Sequence, residues 1–122
     1  MAGPDSGTVS ESGSLAVLES WRGALVEILR RAGPDLSTRQ MGILLTVYLV
    51  KGPHSVRGLA GDLSISKPAV SRALDRLGDL GFIRRVRDMG DHRKVLVERT
   101  VAGSVFLSEF ADVIAAVSSD RT

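Results

Sequence analysis

Apolar residues recur at spacings of three and four at Leu18, Trp21, Leu25 and Ile28, which places one apolar stripe on a helix that begins near Ser14 and is stopped by Gly33-Pro34. Ahead of it, residues 1–13 are small and polar without a period and predict a disordered tail. A second helix is expected from Ser37 or Thr38, either of which can cap it, through Met41, Ile43, Leu44, Leu45, Val47, Tyr48 and Leu49 to Lys51. It is apolar nearly all round, as a central buried helix must be, and Gly52-Pro53 ends it. A shorter helix, about Ser55 to Leu63, turns Val56, Leu59, Ala60 and Leu63 inward. After the turn Ser64-Ile65-Ser66, a fourth helix runs from about Lys67 to Leu80, with Ser66 as N-cap, Pro68 in the first turn and Gly81 as C-cap.

The period then changes. Phe82 to Arg87 and Lys94 to Thr100 are β-branched and aromatic runs of strand length, joined through Asp88 to His92 with Gly90 for the turn, which predicts a β-hairpin. A last helix, about Val101 to Ser118, carries the stripe Phe106, Phe110, Val113 and Val117, and residues 119–122 form a tail. The expected fold is mainly α with a small antiparallel β-hairpin, in the order helix, helix, helix, helix, hairpin, helix, over a single domain at 14–118. A short helix, a tight turn, a second helix and a two-stranded wing is the winged helix-turn-helix arrangement.

Composition narrows the chemistry. With 43% hydrophobic residues and a mean hydropathy of +0.12, the chain is globular. It has no cysteine, which excludes disulfides, thiolate metal sites and thiol redox sensing. The longest apolar run, Ile43 to Val50 broken only by Thr46, is well short of the roughly 18 residues that a bilayer requires. The N-terminus lacks the basic start and apolar stretch of a signal peptide, so a soluble cytoplasmic protein with no membrane contact is expected. The net charge is only +2, but its distribution is uneven: Lys51 to Lys94 carries ten Lys/Arg against five Asp/Glu, whereas residues 1–36 and 95–122 are acidic. A basic middle between acidic ends suits a central segment that faces a polyanion.

The fourth helix divides cleanly. Val70, Ala73, Leu74 and Leu77 share one face, and Pro68, Ser71, Arg72, Asp75 and Arg76 the other. An apolar back with a front of short hydrogen-bonding groups and guanidinia is what a helix needs to enter a major groove. Arg72 is placed to pair with a guanine edge, and Ser66, Lys67 and Ser71 to reach bases or phosphates. An ordinary solvated helix face has the same composition. The hairpin tips the balance, because Arg84, Arg85, Arg87, His92, Arg93 and Lys94 load it with groups that can straddle a phosphate backbone and enter the minor groove. His54 and His92 are the only histidines and have no clustered carboxylates, so they read as surface or phosphate-facing, not as metal ligands. Phosphate loops, nucleophile elbows and a credible triad order are absent, which predicts neither an enzyme nor a cofactor.

Leu36-Ser37-Thr38-Arg39-Gln40, Leu59-Ala60-Gly61-Asp62-Leu63, Ser66-Lys67-Pro68-Ala69-Val70-Ser71-Arg72-Ala73-Leu74-Asp75-Arg76-Leu77, Gly81-Phe82-Ile83-Arg84-Arg85 and Asp91-His92-Arg93 together resemble the successive signatures of the MarR (multiple antibiotic resistance regulator) family, over about Leu36 to Gly103. The resemblance implies a winged-helix homodimer on palindromic promoter DNA, usually a repressor, often released by small aromatic or anionic effectors. It implies that Arg93 enters the minor groove with Asp91 orienting it. On this reading residues 37–100 form the DNA-binding core, and 14–33 and 101–118 the dimerisation helices, through Leu18, Trp21, Leu25, Ile28, Phe106, Phe110, Val113 and Val117. The same stripes could instead complete each protomer's own core, and Trp21 and Tyr48 could line an effector pocket or be core. The sequence departs from the family at Arg99, where a leucine is usual. Two other functions remain open: a winged-helix module that contacts a protein, and an accessory DNA-binding factor without effector control.

Overall fold

Serine side chains set three of the helix starts. In the structure, a computed structural model that describes residues 12–120, the helices are α1 (Ser12–Arg30), α2 (Thr38–Leu49), α3 (Val56–Leu63), α4 (Lys67–Asp79) and α5 (Val101–Asp120). Ser37, not Thr38, caps α2: its Oγ accepts from the Gln40 amide at 3.1 Å, and the Gln40 side chain accepts from the Ser37 amide at 2.9 Å, a reciprocal capping box. Ser55 accepts from the Gly58 amide to cap α3, and Ser66 from the Ala69 amide to cap α4. The tail expected over residues 1–13 lies outside the described residues except for its last two, which open α1. The tail expected at 119–122 is helical through Asp120.

Two left-handed residues end the helices of the helix-turn-helix. Ser64 (φ 56°) closes α3, with the Ile65 amide donating to the Ala60 carbonyl. Gly81 (φ 80°) follows α4, with the Phe82 amide donating to Leu77 and the Gly81 amide to Gly78, each at 2.9 Å. This pair of bonds is the Schellman motif, and glycine takes the left-handed position without a Cβ penalty.

The expected hairpin is part of a three-stranded antiparallel sheet of β1 (His54–Ser55), β2 (Ile83–Arg87) and β3 (Val95–Arg99), in the order β1-β3-β2. The hairpin register pairs Ile83 with Arg99 and Arg87 with Val95, and β1 adds His54 opposite Val97. A two-residue strand after a proline has too few positions to show a period, so the pattern did not reveal it. His54 thereby departs from the surface position expected of it. It is buried, and its Nε2 donates to the Val50 carbonyl at 2.7 Å.

The chain divides into two compact units, Leu36–Leu107 and a smaller one built from α1 and the remainder of α5. In the larger unit Ile43, Leu44, Leu59, Val70, Leu74 and Leu77 are fully buried. Tyr48 ties α2 to the wing and to the start of α5. Its hydroxyl accepts from the Thr100 amide at 2.8 Å and lies within donating distance of the Phe82 and Thr100 carbonyls. Thr100 Oγ1 donates to the Gly81 carbonyl and accepts from the Gly103 amide. Gly103 can only be glycine here, because a Cβ would collide with the Tyr48 hydroxyl and the Phe82 carbonyl. Tyr48 is therefore committed to this core. The unusual Arg99 fits the same junction: its Nε donates to the Val47 carbonyl at 3.0 Å, in the last turn of α2, and its guanidinium lies over the Tyr48 ring.

Phe106 stacks on Phe82 with ring centroids 4.4 Å apart, so this member of the expected dimerisation stripe is used within the larger unit. In the smaller unit Ala24 and Val113 are buried and Val117 seats over Gly23. Leu18, Trp21 and Leu25 remain 49%, 59% and 48% exposed, and Trp21, Leu25, Ile28 and Phe110 line an apolar cleft of about 330 Å³. By length and composition alone, Val101–Ser118 could cross a bilayer. Asp112 falls inside it, and an aspartate at a bilayer centre costs about 2.5–3.5 kcal/mol.

Candidate nucleic-acid interface

The apolar back of α4 is buried at Ala69, Val70, Ala73, Leu74 and Leu77, which fixes the helix on the core and turns its polar front outward. Lys67, Pro68, Arg72, Asp75 and Arg76 are exposed and Ser71 is half-buried. Ser66 is exposed at the helix start, with its hydroxyl oxygen engaged as the cap, so it can still donate its proton outward.

The wing is braced by its own polar groups. Arg84 Nη2 meets Glu98 Oε1 at 2.9 Å across the β2–β3 pair, and Arg87 Nη1 donates to the His92 carbonyl at 2.7 Å. Arg85 Nη2 meets Asp75 Oδ1 at 2.7 Å and joins β2 to the front of α4. Three of the six groups expected to load the hairpin are thus engaged within the protomer, and Arg87 in particular holds the turn. Past the turn the picture differs. Asp91 Oδ1 accepts from the Arg93 amide at 3.1 Å and lies 3.6 Å from Arg93 Nε, while the Arg93 side chain is 94% exposed. His92 and Lys94 are exposed as well. The carboxylate is therefore placed to aim the guanidinium outward.

These parts converge. A cleft of about 1100 Å³ is lined by Lys67 at the start of α4, by Asp91, Arg93 and Lys94 of the wing, and by Arg57 in the first turn of α3. Arg57 was absent from the sequence-derived set. The available signal was a basic residue beside a serine cap in the first helix of the helix-turn-helix, but helical periodicity alone does not show that this turn faces the wing. Four cations against Asp62 and Asp91 along one open groove make a surface matched to a chain of phosphates.

Among known proteins, the MarR family model matches residues 36–95. No curated protein matches the sequence. Many solved structures are similar to this chain, among them the following three. The transcriptional regulator BldR from Sulfolobus solfataricus is 29% identical, with 88% of this chain and 77% of that one covered at a TM-score of 0.61. A variant of MepR from S. aureus is 19% identical, with 91% and 82% covered at 0.71. A variant of MarR from E. coli, in complex with operator DNA, is 21% identical, with 88% and 74% covered at 0.65. The serine-capped α3–turn–α4 unit, the wing beside it and the matching family segment agree, and the chain belongs to the MarR family of winged-helix, DNA-binding transcription regulators.

Proposed function

We propose that this chain is a cytoplasmic, homodimeric repressor that reads a palindromic operator, with α4 in the major groove and the wing reaching the adjacent minor groove. The observation that carries the reading is the single groove shared by Lys67, Arg57, Arg93 and Lys94, next to the exposed front of α4. In this arrangement Arg72 pairs with a guanine edge. Lys67, Ser66 and Ser71 bond to bases or phosphates near the helix start, Pro68 gives close apolar approach, and Arg76 reaches the flanking backbone. Asp91 orients Arg93 for the minor groove, with His92 and Lys94 beside it, while Arg87 stiffens the turn that carries them.

The exposed stripe Leu18, Trp21 and Leu25 of α1, with Ile28 and Phe110, supplies the self-association surface. The apolar cleft there is also the place for a small aromatic effector. A protein-docking role for α4 is disfavoured by its front, where Lys67, Arg72 and Arg76 stand in place of large apolar groups.

Selection of bound sequences from random duplex tests the proposal. An inverted repeat with half-sites about 10–10.5 base pairs apart is expected, matching two recognition helices about 34–36 Å apart. Arg72→Ala should cost about 1–3 kcal/mol on the selected site and relax one base position, whereas Arg93→Ala should weaken binding evenly across sequences. Equal loss on selected and random duplex for Arg72→Ala would overturn the base-reading role.

A further inference from the structure

Helix α4 is flanked by two clefts, and only the one beside the wing enters the reading above. The second, of about 650 Å³, is lined by Thr38, Arg39 and Gln40 at the start of α2 and by Ala69, Arg72 and Ala73 of α4. None of the residues that line it is acidic. At about 100° per residue, Ala69, Arg72 and Ala73 fall on one flank of α4 and Lys67 on the other, with Pro68 and Asp75 on the crest between them. The helix thus stands as a ridge between two basic troughs, one holding Arg39 and Arg72, the other Arg57, Lys67, Arg93 and Lys94.

A major groove about 12 Å wide is bordered on its two sides by the phosphates of opposite strands. A helix seated in that groove therefore places one strand in each of its flanking troughs. We propose that the cleft beside α2 is a second backbone site, in which Arg39 holds a phosphate of the strand opposite the one held by Arg57 and the wing. Arg39 is exposed on the second residue of α2, has no carboxylate within ion-pair distance among the described residues, and follows Thr38, which is also exposed. It is suited to positioning, not to base reading, because its own helix does not enter the groove. The inference rests on the DNA-binding reading and extends it from one clamped strand to two.

The test uses the full chain and a duplex chosen by selection, with phosphate-ethylation interference and a salt titration of affinity. For wild type, interference is expected on both strands of each half-site. Arg39→Ala should erase it at one phosphate on the strand opposite the phosphate erased by Arg57→Ala. It should also lower the log–log salt slope by about 0.9 per bound protomer. Base preference should not change. Arg39→Lys should restore most of the slope, since an ammonium still neutralises a phosphate as a point charge. Thermal melting equal to wild type verifies the fold, and Arg39→Gln, which keeps side-chain length without charge, serves as the second neutral variant. If the neutral variants leave slope and interference intact, or erase a phosphate on the same strand as Arg57→Ala, the second site is refuted while DNA binding stands. If the wild type binds no duplex at low salt, both readings fail together.

Discussion

In the Leu36–Leu107 unit, Ile43, Leu44, Leu59, Val70, Leu74 and Leu77 lose all solvent exposure, whereas on α1 of the smaller unit Leu15, Leu18, Trp21 and Leu25 keep about half of theirs. Both sets follow the same helical spacing, so periodicity marks an apolar face without saying what covers it. The larger unit closes over its own face: α2, α3 and β2 all pack against α4, and polar atoms at the edge of the core are tied by Tyr48, Thr100 and Arg99. The smaller unit leaves its face outward, as surface awaiting a second body does. Stability should therefore reside in one unit and concentration dependence in the other.

The largest effect should come from cutting the closed core. Leu74→Ala removes a fully buried side chain and should lower stability by about 2–5 kcal/mol in denaturant unfolding. The matched change Leu18→Ala should cost within about 0.5 kcal/mol on the isolated protomer, yet flatten any rise of melting temperature with protein concentration. Equal losses for the two would erase the contrast between the units.

Next in size is Gly103→Ala, whose new methyl group meets the Tyr48 hydroxyl and the Phe82 carbonyl. Overpacking of that kind costs about 1–3 kcal/mol, and the melting temperature should fall accordingly. Ser66→Ala leaves the Ala69 amide without its cap and should cost about 1 kcal/mol by thermal unfolding. Among the changes within the larger unit, the smallest effect belongs to Asp75→Ala. Its ion pair with Arg85 is open to solvent (side chains 63% and 36% exposed), so roughly 0–1 kcal/mol is expected from chemical denaturation, less at high salt.

Much of this architecture was readable from residue order. The back of α4, its serine cap and the glycine after it were all visible, because burial period and capping are local and carry their own chemistry. Asp91 and Arg93, singled out together in the sequence, lie in contact: Asp91 Oδ1 accepts from the Arg93 amide and sits 3.6 Å from Arg93 Nε. What escaped depended on contacts between residues distant in sequence. The strand at His54 exists only because β3 lies alongside it, and the burial of His54 follows from that pairing. Tyr48 meets Thr100 across 52 positions, which no window of helical period can register. The engagement of Arg84 and Arg85 within the protomer was hidden for the same reason, and that of Arg87 because it meets a backbone carbonyl rather than a side chain. A count of basic residues gives the charge on the hairpin but not how much of it faces outward. Arg57 and Arg39 were passed over because each opens a helix other than the one with the readable front.

Trp21 is the only tryptophan in the chain, and it lies in the smaller unit, half exposed at the apolar cleft. Its indole emission is a built-in optical gauge of whatever comes to cover α1, through a blue shift as water leaves the ring. The groove of Arg57, Lys67, Arg93 and Lys94 contains no fluorophore of this kind. Trp21 emission therefore reports on the covering of α1 and is blind to direct contact at the basic groove, so a change in it on adding duplex would be a readout of communication between the two units.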